Sequence, residues 1–191
     1  MVTTVSQCRS LAEFLQQPET TPACEYIRGR VFQKPMPKGK HSRLQAKLLE
    51  RINQVGEATQ LADGFPELRW TVGDRSLVPD IAVFRWSRIP LDEAGEFAND
   101  FSVAPDWIIE ILSPNQQPNQ VIGKILYGLE SGTELAWLID PGDRSVLMFQ
   151  PREQPRLGIE TDPLTVLAGL DLNLTPAEMF NWLKLPSHPG R

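Results

Sequence analysis

With 191 residues, 41% of them apolar and 23% charged, the chain is expected to form one soluble globular domain over 1–191. Its net charge of −5 argues against a surface coated in positive charge, and two cysteines (Cys8, Cys24) and two histidines (His41, His188) exclude a disulfide framework or a histidine-rich zinc site. No apolar run nears the roughly 18 residues of a membrane span and no signal-peptide pattern opens the chain, so a cytoplasmic protein with no membrane partner is expected.

Ser10 and Glu13 in SLAEFLQQ have capping-box spacing and open a first helix, which Pro18 closes. ACEYI and RVFQK flank Arg28-Gly29-Arg30, a hairpin turned at Gly29. After the loop PMPKGK, the residues Leu44, Leu48, Ile52 and Val55 recur at helical spacing, predicting an amphipathic helix from His41 to about Val55 that ends at Gly56. Three strands are expected at 66–72 (PELRWTV), 76–86 (SLVPDIAVFRW) and 106–112 (DWIIEIL), with an irregular acidic segment between the last two. PNQVIGKILYGLESG predicts a helix that stops at Gly132, and ELAWLID with SVLMFQ a second hairpin about Pro141-Gly142-Asp143-Arg144. A proline-rich connector and LTVLAGL precede a last helix, whose start Thr175-Pro176-Ala177-Glu178 combines a capping box with proline at the first helical position. The sum is a mixed α/β (α+β) fold around a largely central sheet.

Charge is unevenly spread. Eight basic residues lie between Arg28 and Arg51 against the single acid Glu50, whereas Ile89 to Glu110 holds six acids and no base. Either a local basic face sits on an acidic protein, or two solvated surfaces of opposite sign do.

Two acids stand where acids are costly. In WIIEILSP, Glu110 interrupts an apolar strand, and burying a carboxylate unpaired costs several kcal/mol or more. Alternation sends Ile108, Glu110 and Leu112 to one face and Trp107, Ile109 and Ile111 to the other; both faces are mostly apolar, the mark of a central strand covered on both sides. Some 30 residues earlier, Asp80 in VPDIAVF presents the same anomaly, beside a proline that interrupts pairing or marks a bulge. If the two strands are neighbours, the carboxylates repel unless a cation or proton is shared between them. A hard divalent ion, Mg²⁺ or Mn²⁺, resolves this. The alternative is that each acid pairs with a nearby arginine, such as Arg69 or Arg85, or reaches solvent.

Taken together, EYIRGR, the His41 that opens a helix, PELRW, VPDIAVFRW, PDWIIEILSPNQ, the spaced Lys124 and GTELAWLIDP resemble a family of restriction-endonuclease type abundant in cyanobacteria, within the PD-(D/E)XK nuclease superfamily. The pieces span residues 24–141. The resemblance implies a restriction-endonuclease-like core, a central mixed sheet flanked by helices, with the site where two central strands diverge. It implies that Asp80 and Glu110 hold the metal, with the carbonyl of Ile111 as a further ligand. The superfamily's usual lysine, two residues after the acid, is replaced here by Leu112, and the residue that matches the family is Lys124 in the next helix. A long-stemmed lysine flanking the apolar arc of that helix can reach over the sheet end; the bland alternative is a solvated helix lysine.

The other candidates stay open. His41 either approaches substrate phosphate, or orients one of the acids, or is a surface histidine. Glu25 and Glu67 either complete the metal shell through water or make cross-strand salt bridges with Arg30 or Arg69. Asp140 is expected to cap the turn at Pro141-Gly142. The expected activity is hydrolysis of phosphodiester bonds, in DNA, with Arg28, Arg30, Lys38, Lys40, Arg43 and Lys47 holding backbone phosphates. The resemblance also suggests a homodimer. Two rival readings are a catalytically inactive nucleic-acid-binding module and an interaction subunit that retain the fold.

Overall fold

The computed structural model describes residues 4–6, 10–114 and 116–185; Cys8 and His188 lie outside them. Strand β1 (Thr4–Ser6) is followed by helix α1 (Leu11–Leu15), where the Ser10 hydroxyl accepts from the Glu13 N–H at 3.1 Å. Strands β2 (Cys24–Ile27) and β3 (Arg30–Gln33) form the expected hairpin. Arg28 and Gly29 both take positive φ (48° and 82°), the backbone that suits a two-residue turn between twisted strands.

Helix α2 (Gly39–Thr59) buries Leu44, Leu48 and Ile52. It does not end at Gly56 as expected. A Cβ at Gly56 would stand 2.2 Å from the Ala62 carbonyl oxygen, so that glycine serves close packing inside the helix. The stop is one turn later, where Gln60 adopts the left-handed conformation (φ 54°).

The expected strand 66–72 is strand only at 70–72 and at Pro66, which ends an unexpected strand beginning at Ala62, and the expected strand 76–86 breaks in two. Residues 62–72 form β4 (Ala62–Pro66) and β5 (Trp70–Val72), separated at Glu67, whose φ is 48°. Residues 75–85 form β6 (Arg75–Leu77) and β7 (Ile81–Arg85). Between them Val78 donates its N–H not to a strand but to the Glu25 carboxylate at 2.9 Å, Pro79 has no N–H to offer, and the Asp80 carbonyl accepts from the Gln45 amide at 2.8 Å. Strand β8 (Trp107–Ile111), helix α3 (Pro118–Glu130), strands β9 (Leu135–Asp140) and β10 (Ser145–Phe149), a strand β11 (Arg156–Ile159) that the sequence did not announce, and helix α4 (Pro176–Asn181) complete the described elements. The capping box at Thr175 and Glu178 is present in both directions.

The strands make two sheets. One has the order β1-β3-β2-β6-β5, the other β11-β10-β9-β8-β7-β4. In the second, β8 and β9 run parallel and are joined through α3, while its other neighbours are antiparallel, giving the mixed central sheet flanked by helices. The smaller sheet was not foreseen, because the breaks at Glu67 and at 78–80 move the chain from one sheet to the other. As alternation requires, Trp107, Ile109 and Ile111 pack with Leu44, Leu48 and Ile52 of α2, and Ile108 and Leu112 with Val121 and Ile125 of α3. Each such aliphatic side chain contributes roughly 1.5–3 kcal/mol on burial. No helix among the described residues is long and apolar enough to cross a membrane.

Candidate active site

β7 and β8 are hydrogen-bonded neighbours with Ile81 opposite Ile109. Continuing that register by one residue sets Asp80 against Glu110, on the face shared with Ala82 and Ile108. Asp80 sits at the crossing between the sheets and Glu110 near the C-terminal end of its strand, so both carboxylates meet where the layers part. The parallel β8-α3-β9 connection lays α3 over the same end, and Lys124 projects from it into the cluster. Lys124 is only 8% exposed. Its Nζ lies 2.8 Å from Glu110 Oε1 and 3.0 Å from Glu25 Oε1. Glu25 in turn accepts the Val78 N–H, so one carboxylate fixes both the lysine and the interrupted strand.

Asp80 is saturated. Its Oδ1 accepts from Lys34 Nζ at 2.7 Å; its Oδ2 accepts from the Ile111 N–H at 2.7 Å and from His41 Nε2 at 3.0 Å. Lys34 also donates to the Val78 carbonyl at 2.8 Å. Because an ionised carboxylate only accepts, Nε2 carries the His41 proton, and His41 Nδ1 is buried with no partner among the described residues.

The two acids are shifted in opposite directions. Burial works to raise Asp80, but Lys34 and His41 together overcome it and hold the carboxyl well below the usual carboxylate range. For Glu110 burial wins: with Asp80 adding repulsion and Lys124 opposing, its carboxyl is pushed up to about 7. Burial alone would strip the lysines of their protons; the surrounding carboxylates reverse this, Asp80 and Glu110 for Lys34, Glu110 and Glu25 for Lys124, and both ammonium groups are held charged.

Between these groups lies a cavity of about 10 Å³, bordered by Asp80, Glu110, Ile111, His41 and Glu67, with room for one water-sized guest. Gln116 borders it and also two larger hollows. One, of about 550 Å³, is lined by Lys38, Lys40 and His41; the other, of about 300 Å³, by Glu25, Lys34 and Lys124.

Asp80, Glu110, Lys124, Ile111, His41 and Glu25 thus converge, and Glu67 reaches the rim. Neither strand acid pairs with arginine: Arg69 holds Glu19 and Arg85 holds Glu134, each at 2.8 and 2.7 Å respectively, and Glu25 answers to Lys124 rather than to Arg30 or Arg69. Of the basic run, Lys38 and Lys40 border the site. Arg28 and Arg30 are exposed on the β2–β3 hairpin, Arg43 Nε donates to the Trp182 carbonyl at 3.1 Å, and Lys47 pairs with Glu50 at 2.6 Å. The sequence reading missed Lys34 and Gln45. Lys34 looked like one more surface lysine in a basic run, and only the hairpin's position beside Asp80 marks it out. Asp140 caps its turn, accepting from the Gly142 N–H at 2.7 Å.

The chain resembles known proteins along nearly its whole length. A crystal structure described as a "putative nuclease belonging to DUF820", from Anabaena variabilis, shares 47% identity with it, with a TM-score of 0.90 over 92% of this chain and 99% of that one. No curated protein matches. The family model described as "Uma2: Putative restriction endonuclease" matches residues 11–177, and the chain belongs to that family.

Proposed function

We propose that the protein is a divalent-metal-dependent nuclease of the PD-(D/E)XK type, hydrolysing phosphodiester bonds in DNA. The observation that carries the reading is the meeting of Asp80 and Glu110 at a cavity of one-water size, with Lys124 paired to Glu110 at 2.8 Å.

The donor set suits Mg²⁺ or Mn²⁺. Among the described residues no group of three or more His, Cys, Asp or Glu is arranged to hold an ion alone. Mg²⁺ does not need one, since it is commonly held by one or two carboxylates, with waters and substrate phosphate filling the rest. Asp80, Glu110 and the Ile111 carbonyl would hold it here, with Glu25 and Glu67 within reach through water. When bound, such an ion acidifies water and neutralises charge on the phosphoryl oxygens.

The chain's own groups do the remainder. Lys34 and His41 keep Asp80 ionised, and the Ile111 N–H helps fix its direction. Lys124 stabilises the negative charge that develops on the phosphate or orients the attacking water, as preorganised donors in a dry site do. Lys34 balances Asp80 while no metal is present. Lys38 and Lys40 hold backbone phosphates on the adjacent wall, with an affinity that falls as salt rises. A homodimer would supply the two sites needed to cut both strands.

Plasmid cleavage with Mg²⁺ or Mn²⁺, repeated on Asp80→Ala and Glu110→Ala, tests the assignment. Both variants are expected to be inactive; undiminished cleavage by both ends it. Calorimetric titration of Glu110→Gln with Mg²⁺ separately tests whether the strand acid binds the ion.

A further inference from the structure

The hollow of about 300 Å³ beside the acids is not explained by metal binding or by a passing phosphate backbone. It lies between the β2–β3 hairpin and the N-terminal half of α3. Ile27, Phe32 and Val121 give it apolar walls, Asn119 and Gln120 bring two side-chain amides, and Arg75 brings a guanidinium. Arg75 is stacked on the Tyr127 ring, 3.9 Å from its centroid, and its Nε has no hydrogen-bond partner among the described residues, the nearest acid, Asp74, being 3.8 Å away. A guanidinium, two side-chain amides and the Phe32 ring lining one recess are the groups that hold a phosphate, a base edge and a base face.

We infer that this recess is a subsite for one unpaired nucleotide flanking the scissile phosphate, so that the substrate is single-stranded DNA, or DNA with a base turned out of the stack. The inference rests on the nuclease reading of the neighbouring acids. Lys34 and Gln116 border both the recess and the small cavity between Asp80 and Glu110, so a nucleotide seated here has its phosphate at the acids. The volume is at the lower end of the roughly 300–1,000 Å³ of small-molecule pockets, enough for a single nucleotide. A concave recess cannot enter a groove of duplex DNA; it takes a base that has left its partner, whose Watson–Crick edge the amides of Asn119 and Gln120 can then meet. Gln116 also borders the hollow of Lys38 and Lys40, so a strand can run from that basic wall, across the acids, into the recess.

Gly123 offers a clean way to close it. It lines the recess on an exposed turn of α3, and a Cβ there would meet nothing within 4 Å. Gly123→Phe therefore fills the space while removing a helix-interior glycine, and its melting temperature is expected at or above that of the unaltered protein. Binding of a fluorescently labelled oligonucleotide, followed by anisotropy in EDTA, needs no turnover. The unaltered protein is expected to bind the single strand at least about tenfold more tightly than the same sequence as duplex. Gly123→Phe is expected to lose that preference, as are Phe32→Leu, which keeps bulk without a stacking face, and the surface pair Asn119→Ala with Gln120→Ala. Equal binding of single strand and duplex, or an unaltered single-strand affinity in folded Gly123→Phe, overturns the inference. The two readings fail separately. Cleavage that needs Asp80 but ignores Gly123→Phe keeps the nuclease and removes the subsite; strand binding lost in Gly123→Phe, with no cleavage under any divalent metal, keeps the subsite and removes the nuclease.

Discussion

The strand Trp107–Ile111 has a buried acid toward each end, and the two are satisfied in opposite ways. Asp106, with none of its surface exposed, is gripped by the Arg88 guanidinium and by the Arg85 N–H at 2.7 Å, and its carbonyl accepts from Glu134 and Leu135. Glu110 has the Lys124 ammonium, a second acid across the strand pair, and a small cavity at its side. An arginine fork holds a carboxylate in fixed geometry and never gives up its proton, whereas a lysine is a point charge on a flexible stem that another cation can displace. Asp106 therefore reads as a clasp that ties the single 3-10 turn Trp86–Arg88 to the sheet, and Glu110 as an acid held by an exchangeable charge. On sequence alone both are simply acids beside apolar residues.

The largest expected effects come from exchanging the two fates. Glu110→Gln should lower cleavage by about a hundred- to a thousandfold while leaving urea stability equal or greater, because a buried charge is removed and the amide oxygen still accepts from Lys124. Asp106→Asn should do the reverse: about 3 kcal/mol lost from unfolding stability, with metal-dependent cleavage per folded molecule retained. Cleavage that survives Glu110→Gln and disappears in folded Asp106→Asn would show that the comparison has been drawn the wrong way round.

The two lysines sharpen it further. Lys124→Met should cost cleavage about a hundredfold, since its ammonium is the charge beside Glu110. Lys34→Met should instead tighten Mg²⁺ binding by at least about tenfold in a calorimetric titration, because it removes the cation that competes for Asp80 Oδ1. Weakened Mg²⁺ binding in Lys34→Met would mean that this lysine supports the ion site rather than standing in for the ion.

The pairing of Asp80 with Glu110 could be read from the sequence because each acid broke an apolar pattern of period two, and strand alternation then fixed their faces. Lys124 came only through the family resemblance, its helical position by itself being ambiguous. Lys34 could not be found, since its role depends on a hairpin from the smaller sheet docking beside Asp80. That sheet was itself hidden: Val78-Pro79-Asp80 reads as the middle of one long strand, and nothing local says that Val78 donates to Glu25, over 50 residues away, instead of to a neighbouring strand. Gly56 shows the same limit, a residue with the composition of a helix stop that tertiary packing uses inside the helix.

Acidity gives an effect of intermediate size. In metal-free protein Glu110 is raised from 4.5 to about 7, so the folded state holds its proton more tightly than the unfolded chain does. Its contribution is complete below pH 4.5 and is lost as the pH rises to about 7, by roughly 2–3 kcal/mol. Asp80, held below its ordinary 3.8, works in the other window: its contribution is present above 3.8 and is lost as acid drives the pH through its depressed value. Urea unfolding in EDTA at pH 5 and pH 8 should show the first loss in the unaltered protein and not in Glu110→Gln. Equal stability at both pH values in the unaltered protein would mean that Glu110 is not the strained member of the pair.

The smallest effect belongs to a third acid at a strand end. Asp140 closes β9 and lines the hollow of Lys38 and Lys40, yet its Oδ1 is already committed to the N–H groups of Gly142 and Asp143, at 2.7 and 3.2 Å. Those two bonds orient the carboxylate toward its own turn. Asp140→Asn keeps the accepting oxygen and should change nothing; Asp140→Ala should cost about 0.5–1 kcal/mol in unfolding stability and leave Mg²⁺ binding and cleavage alone. If Asp140→Ala weakens Mg²⁺ binding as much as Glu110→Gln does, the ion sits on the basic wall and the strand-pair acids only support it.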